Sequence, residues 1–335
     1  MNTFNHNSRV AVFRSHFEAW FEKFFFEPTG PQGLAMCRIW FFGYLAWIAC
    51  NTDQTAWLDL PKAFWMPIGL FRWVSWPAFS PELIQSLQWV WRISLLGCCL
   101  GLWTRGNSVI SCVLTIFLIG LPHNFGKVNH GETLTILATL IFMFARSGAA
   151  LSIDALIRRC FQRGSEVCPA SSEYQWPVRL MQALMVTVFF AAGIAKLRGS
   201  GLAWIYSDHM LYTCLRAYYI GQNPLVPEMG AWLAQHPLLC RFIALTTIVA
   251  EVTAPLALFS RRYRWLVIPS LFAMQLGIWI VMGISFSQYL MCYLFWLPWG
   301  RAYDGIFHGT GVLACLRKQS IASPAICPTK ILQSS

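Results

Sequence analysis

The chain has 335 residues, 56% of them hydrophobic and only 12% charged, with a formal net charge of +11. A charged fraction about half the soluble norm, set among repeated long apolar runs, excludes an ordinary soluble enzyme and describes an all-α polytopic transmembrane helical bundle in a lipid bilayer. The positive charge would point to nucleic acid in a soluble chain, but here the basic residues sit in short loops between the runs, where they set topology; no nucleic-acid partner is expected.

Residues 1–30 read as a cytoplasmic amphipathic arm, its aromatics alternating with charges until Pro28 ends it. No cleaved signal peptide is expected there. Residues 31–300 carry the bundle, with about eight spans: residues 33–50, 83–102, 107–121, a fourth ending near Phe144, 176–195, 238–259, 265–283 and 286–299. The tryptophans and prolines of residues 51–82 make an interfacial stretch of broken turns, and residues 204–219 make an interfacial helix. Residues 301–335 form a polar tail expected to be disordered. With the N-terminus inside, 15 Lys and Arg fall in cytoplasmic segments against six outside, which puts both termini in the cytoplasm.

The fifth span holds the residue that most needs an account. Small Ala191, Ala192 and Gly193 allow a neighbouring helix to approach, and Lys196 follows within one turn. It is either an interfacial lysine that snorkels to the headgroups or a partly desolvated amine able to act as a base. Asn129 and His130 either cap the fourth helix or supply a titratable group at the same outer face as Lys196. Glu251 lies in mid-span, where a lone carboxylate is costly; it is expected to be neutral or paired, with Arg38, Arg92 or Arg179 as partner, or to line a proton path. The 12 cysteines include no CxxC and read as small buried hydrophobes, so no disulfide framework and no metal site are expected. Phosphate-binding loops, HExxH and GxSxG are absent from the sequence.

Several of these residues occur in a recognisable order. Arg38 in CRIWFFGYL, GLWTR at residues 101–105, NHGETL from Asn129 to Leu134 with Asp154 beyond it, and FFAAGIAKL at residues 189–197 followed by Trp204 together resemble the horizontally transferred transmembrane (HTTM) domain. That domain is the membrane part of vitamin K-dependent gamma-carboxylases. The resemblance implies that Lys196 is the base that deprotonates a quinol and that His130, with Asn129, assists it. It further implies that Gly193 and Trp204 adjoin the substrate, while Arg38 and Glu251, from their places within spans, are read as structural polar groups in the membrane. The cofactors implied are a reduced, vitamin K hydroquinone-like quinone with an isoprenoid tail, oxygen and carbon dioxide, and the membrane implied is a bacterial inner membrane. No protein partner is specified. A non-catalytic helper in lipid or secreted-peptide maturation, or a transporter, are the other readings of such a bundle.

Overall fold

The computed structural model describes residues 3–73, 79–126, 130–161, 169–220 and 224–308, and every regular element among them is helical. The first unit, residues 1–297, begins with α1 (Thr3–Phe26), which runs to the expected break before Pro28. An isolated bridge between Thr29 and Ser171 ties the end of α1 to the segment entering α7 (Trp176–Ser200). The aromatic stripe of α1 finds partners there too. Trp20 stacks on Phe259 with ring centroids 4.6 Å apart, and the Arg179 guanidinium lies 4.9 Å from the Phe24 ring centre.

α2 (Gln32–Asn51), α3 (Pro81–Leu100) and α4 (Thr104–Gly120) follow as successive neighbours. The local sequence sets the ends of α3: Ser80 accepts a hydrogen bond from the Leu83 amide, Pro81 starts the helix, and Gly101 in the left-handed region at φ 68° stops it. Only glycine fits at that stop, since a Cβ on Gly101 would overlap the Arg38 guanidinium. Between helices, the Trp91 indole donates to the Thr115 hydroxyl at 2.9 Å, which satisfies two buried polar groups inside the α3–α4 contact. Residues 55–73 form short 3-10 turns, as expected of an interfacial stretch.

α5 (Thr133–Phe144) has only 12 residues, about 18 Å of helix, so it cannot cross a hydrocarbon core alone. It is followed by the short basic α6 (Ile153–Phe161). Beyond α7 come α8 (Ala203–Tyr206), α9 (His209–Ile220) and α10 (Pro227–Ala234), so the expected interfacial helix at 204–219 is two helices. α10 meets α11 (Pro237–Thr253) at a bend of 104°, and α12 (Leu256–Phe259) leads into α13 (Arg261–Met282). α14 (Ser287–Cys292) and a 3-10 turn at Tyr293–Trp296 close the unit. In the second unit, residues 298–335, α15 (Trp299–His308) is helical where a disordered tail was expected to begin; residues 309–335 lie outside the described residues.

Five helical stretches among the described residues are long and apolar enough to cross a bilayer, or six if the bent α10–α11 pair is one span. This is the architecture of an integral membrane protein, with fewer independent spans than the eight expected. The counts part at α5 and at residues 283–297. Gly283, at φ 73°, ends α13, and the chain then turns into the interior instead of forming another long helix. There Gln182 donates to the Phe295 carbonyl at 2.7 Å and the Thr135 hydroxyl donates to Gln288 at 2.9 Å. The Gln182 amide is the kind of side-chain partner that irregular backbone requires at membrane depth, while Thr135 ties α14 to α5. Phe295 joins Phe41, Phe42 and Phe142 in the aromatic core of this half of the molecule.

Candidate functional site

Lys196 sits in the last turns of α7, about 30 Å along the axis from Trp176. Its ammonium donates to both oxygens of Glu251 on α11 at 2.5 Å. The glutamate side chain is 4% exposed and the lysine 23%. Gly193 explains how the pair forms. A Cβ at that position would come within 3.0 Å of both the Glu251 Cβ and the Val252 Cγ2, so glycine permits the close approach of α7 and α11 that delivers Glu251 to Lys196.

The expected arginine partners of Glu251 are therefore replaced by Lys196, and each arginine is engaged elsewhere. Arg38 is fully buried and donates to the Leu151 carbonyl at 2.5 Å. Arg92 donates to the Ala49 and Thr52 carbonyls at 2.9 and 3.1 Å, and Arg179 donates to Gln182 at 2.9 Å. These partners lie on the arginine's own helix, on the preceding helix or on loop carbonyls, which is why charge complementarity alone picked the wrong cation.

The pair lines a cavity of about 730 Å³ walled by α7, α11 and α13, with residues from α8, α9 and α10 across one side and Phe286 and Tyr289 completing it. Trp204 is another wall: the Lys196 Nζ lies 5.6 Å from the Trp204 ring centre, and the Trp204 and His209 rings are 4.4 Å apart. α10 is held over the cavity by Gly230, where a Cβ would come 3.1 Å from the Val281 carbonyl, and by the Val226 amide, which donates to the Ile280 carbonyl at 3.1 Å. Most of the remaining lining is apolar, including Phe189, Ala192, Ile243, Met274 and Ile278. Volume and character match a site for a small molecule with a small polar head.

Of the residues singled out from sequence, Lys196, Glu251 and Trp204 meet at this cavity, while Gly193 stands behind the pair at the helix contact. Arg38 belongs to a separate cluster with Gly101 and Leu151. Asn129 lies outside the described residues, and His130 is described only as backbone at the start of a 3-10 turn, His130–Glu132. In that neighbourhood His123 Nε2 and the Glu132 carboxylate are 2.8 Å apart. Among the cysteines expected to be buried, Cys50 and Cys160 are exposed and Cys99 is partly buried.

The cavity also holds polar side chains to which sequence reasoning gave no role, among them Gln275 and His209. Gln275 carried a usable signal, since an amide inside an apolar run of span length needs a partner as a carboxylate does. Asp154 acts at a distance from the cavity. Its carboxylate accepts from the Trp103 and Thr104 amides at 2.8 and 2.7 Å and from the Thr104 hydroxyl at 2.6 Å, capping α4. Partial burial pushes this carboxyl up, but the Thr104 hydroxyl and the two amides outweigh it and leave the group below its usual range.

No known protein family, curated protein or solved structure matches this chain.

Proposed function

We propose that this membrane protein binds a quinol-type amphiphile in the Lys196–Glu251 cavity and removes a proton from its ring hydroxyl, as the resemblance to the HTTM module implies. The observation that carries the reading is a lysine-carboxylate pair set in the wall of a largely apolar cavity of about 730 Å³. A phenolic hydroxyl and a lysine ammonium have similar ordinary acidities, near 10, so a neutral amine is matched to the task. Shifting one proton from Lys196 to Glu251 turns the ion pair into a neutral amine beside a carboxylic acid without changing the net charge of the cavity. The amine then takes the quinol proton, the quinolate forms, and the new ammonium and Trp204 lie beside it. Reaction of that anion with oxygen, and with carbon dioxide at a second substrate, is what the resemblance adds. His130, with Asn129, would assist the lysine. A bacterial inner-membrane location with both termini in the cytoplasm belongs to the same proposal and rests on counting the loop charges across eight spans.

One observation favours a second reading. Glu251 satisfies Lys196 through both oxygens, so the pair also serves as a clamp between α7 and α11, as a non-catalytic helper would need. The test is oxygen-dependent consumption of a reduced isoprenoid quinone by the purified protein in nanodiscs, with the epoxide read by mass spectrometry. The proposal expects turnover in the parent and its loss in Lys196→Ala with the fold intact. A parent protein without turnover, or an unchanged variant, leaves the clamp.

A further inference from the structure

Most polar groups around the cavity are already satisfied by protein. Lys196 and Glu251 hold each other, the Thr246 hydroxyl donates to the Ile243 carbonyl at 2.9 Å, and the Ser270 hydroxyl donates to the Leu266 carbonyl at 2.8 Å. Gln275 differs. It lines the same cavity from α13, is 4% exposed, and its amide oxygen is buried with no hydrogen-bond partner. An orphaned acceptor of this kind destabilises the fold, and more so among apolar neighbours. Methionine would fill the same space without that cost. The surroundings of Gln275 offer nothing that relieves it, whereas an occupant of the cavity would.

We propose that Gln275 is a specificity-determining residue of this cavity, whose amide oxygen accepts a hydrogen bond from a hydroxyl on the head of a membrane-borne amphiphile. Rotation about the terminal side-chain bond presents the oxygen to the ligand. The head then spans two polar walls, the Lys196–Glu251 pair on α7 and α11 and Gln275 on α13, and its chain lies along the apolar residues between them. The proposal rests on the quinol reading for the class of ligand, and it adds a second polar contact that selects for a head carrying a free hydroxyl.

The test uses two probes with the full-length protein in nanodiscs: an alkyl-chain hydroquinone under anaerobic conditions, and its dimethyl ether, which has the same chain and ring but no hydroxyl to donate. Equilibrium binding of each is measured for the parent and for Gln275→Met, together with the thermal stability of the ligand-free proteins. The parent should favour the hydroquinone. Gln275→Met should weaken hydroquinone binding about three- to tenfold, the worth of one ordinary hydrogen bond, and leave the ether unchanged. The ligand-free variant should be at least as stable as the parent, because an unpaired polar atom has been removed. Full retention of the hydroquinone preference in Gln275→Met overturns the role of Gln275 while the quinol reading stands. Loss of stability or failure to fold in Gln275→Met also overturns it, since the amide would then have a structural partner. A parent that binds neither probe overturns the quinol reading and this inference with it.

Discussion

Lys196 and Glu251 show how a buried pair is held by need on both sides. Glu251 is 4% exposed at its side chain, and a carboxylate there without a cation would be expensive; the lysine faces an apolar cavity and has the same requirement. Glu251→Ala should therefore destabilise the protein by about 3 kcal/mol, at the lower end for a broken buried pair because Lys196 keeps some contact with solvent. Replacing both, Lys196→Met with Glu251→Leu, should recover most of that loss, since the desolvation of two charges goes with the attraction between them. Thermal unfolding in detergent reads both variants, and a double variant no more stable than Glu251→Ala would refute the argument. That Glu251 needed a partner was legible in the sequence from its place in an apolar run. The identity of the partner was not, because it depends on how closely α7 and α11 approach at Gly193, and three arginines looked equally suitable.

At the scale of elements, α4 illustrates a boundary that local sequence does not define. Its span was expected from residue 107, yet the helix starts at Thr104, just after Trp103 adopts the left-handed region at φ 42°. Asp154 makes this start possible by supplying from α6 the acceptors that a local cap residue usually provides. Its folded acidity constant lies below the ordinary carboxylate value, so its contribution is present above about pH 4 and is lost as pH falls through the folded value. Asp154→Ala should cost about 1 kcal/mol at neutral pH. The gap between parent and variant should narrow on acidification below about pH 4, as the parent's carboxylate takes up its proton. Melting curves across that range decide the matter: a gap independent of pH would mean that the charge of Asp154 contributes nothing. The ends of α3, by contrast, were within reach of sequence reasoning, because Ser80, Pro81 and Gly101 carry their own turn and cap chemistry.

Over the whole molecule, composition and apolar run length were enough to identify a helical membrane bundle, since both follow from the solvent in which the chain folds. The number of spans was less accessible. Residues 283–297 are as apolar as a span, but they turn inward and are held by Gln182 and Thr135, contacts that run length does not reveal. The cavity lies beyond sequence reasoning for the same reason, because its walls come from helices separated by up to about 100 residues and only packing brings them together. Lys196, Glu251 and Trp204 were visible one by one; their meeting at one site was not. Whether the cavity holds a quinol head is decided by a cryo-EM structure of the protein in nanodiscs with a chain-bearing hydroquinone added anaerobically. The ring should lie inside the cavity between α7, α11 and α13, with a ring hydroxyl within about 3 Å of the Lys196 Nζ or the Glu251 carboxylate. A ring bound elsewhere, or a cavity occupied only by lipid acyl chain with the Lys196–Glu251 pair facing no polar head, would contradict it.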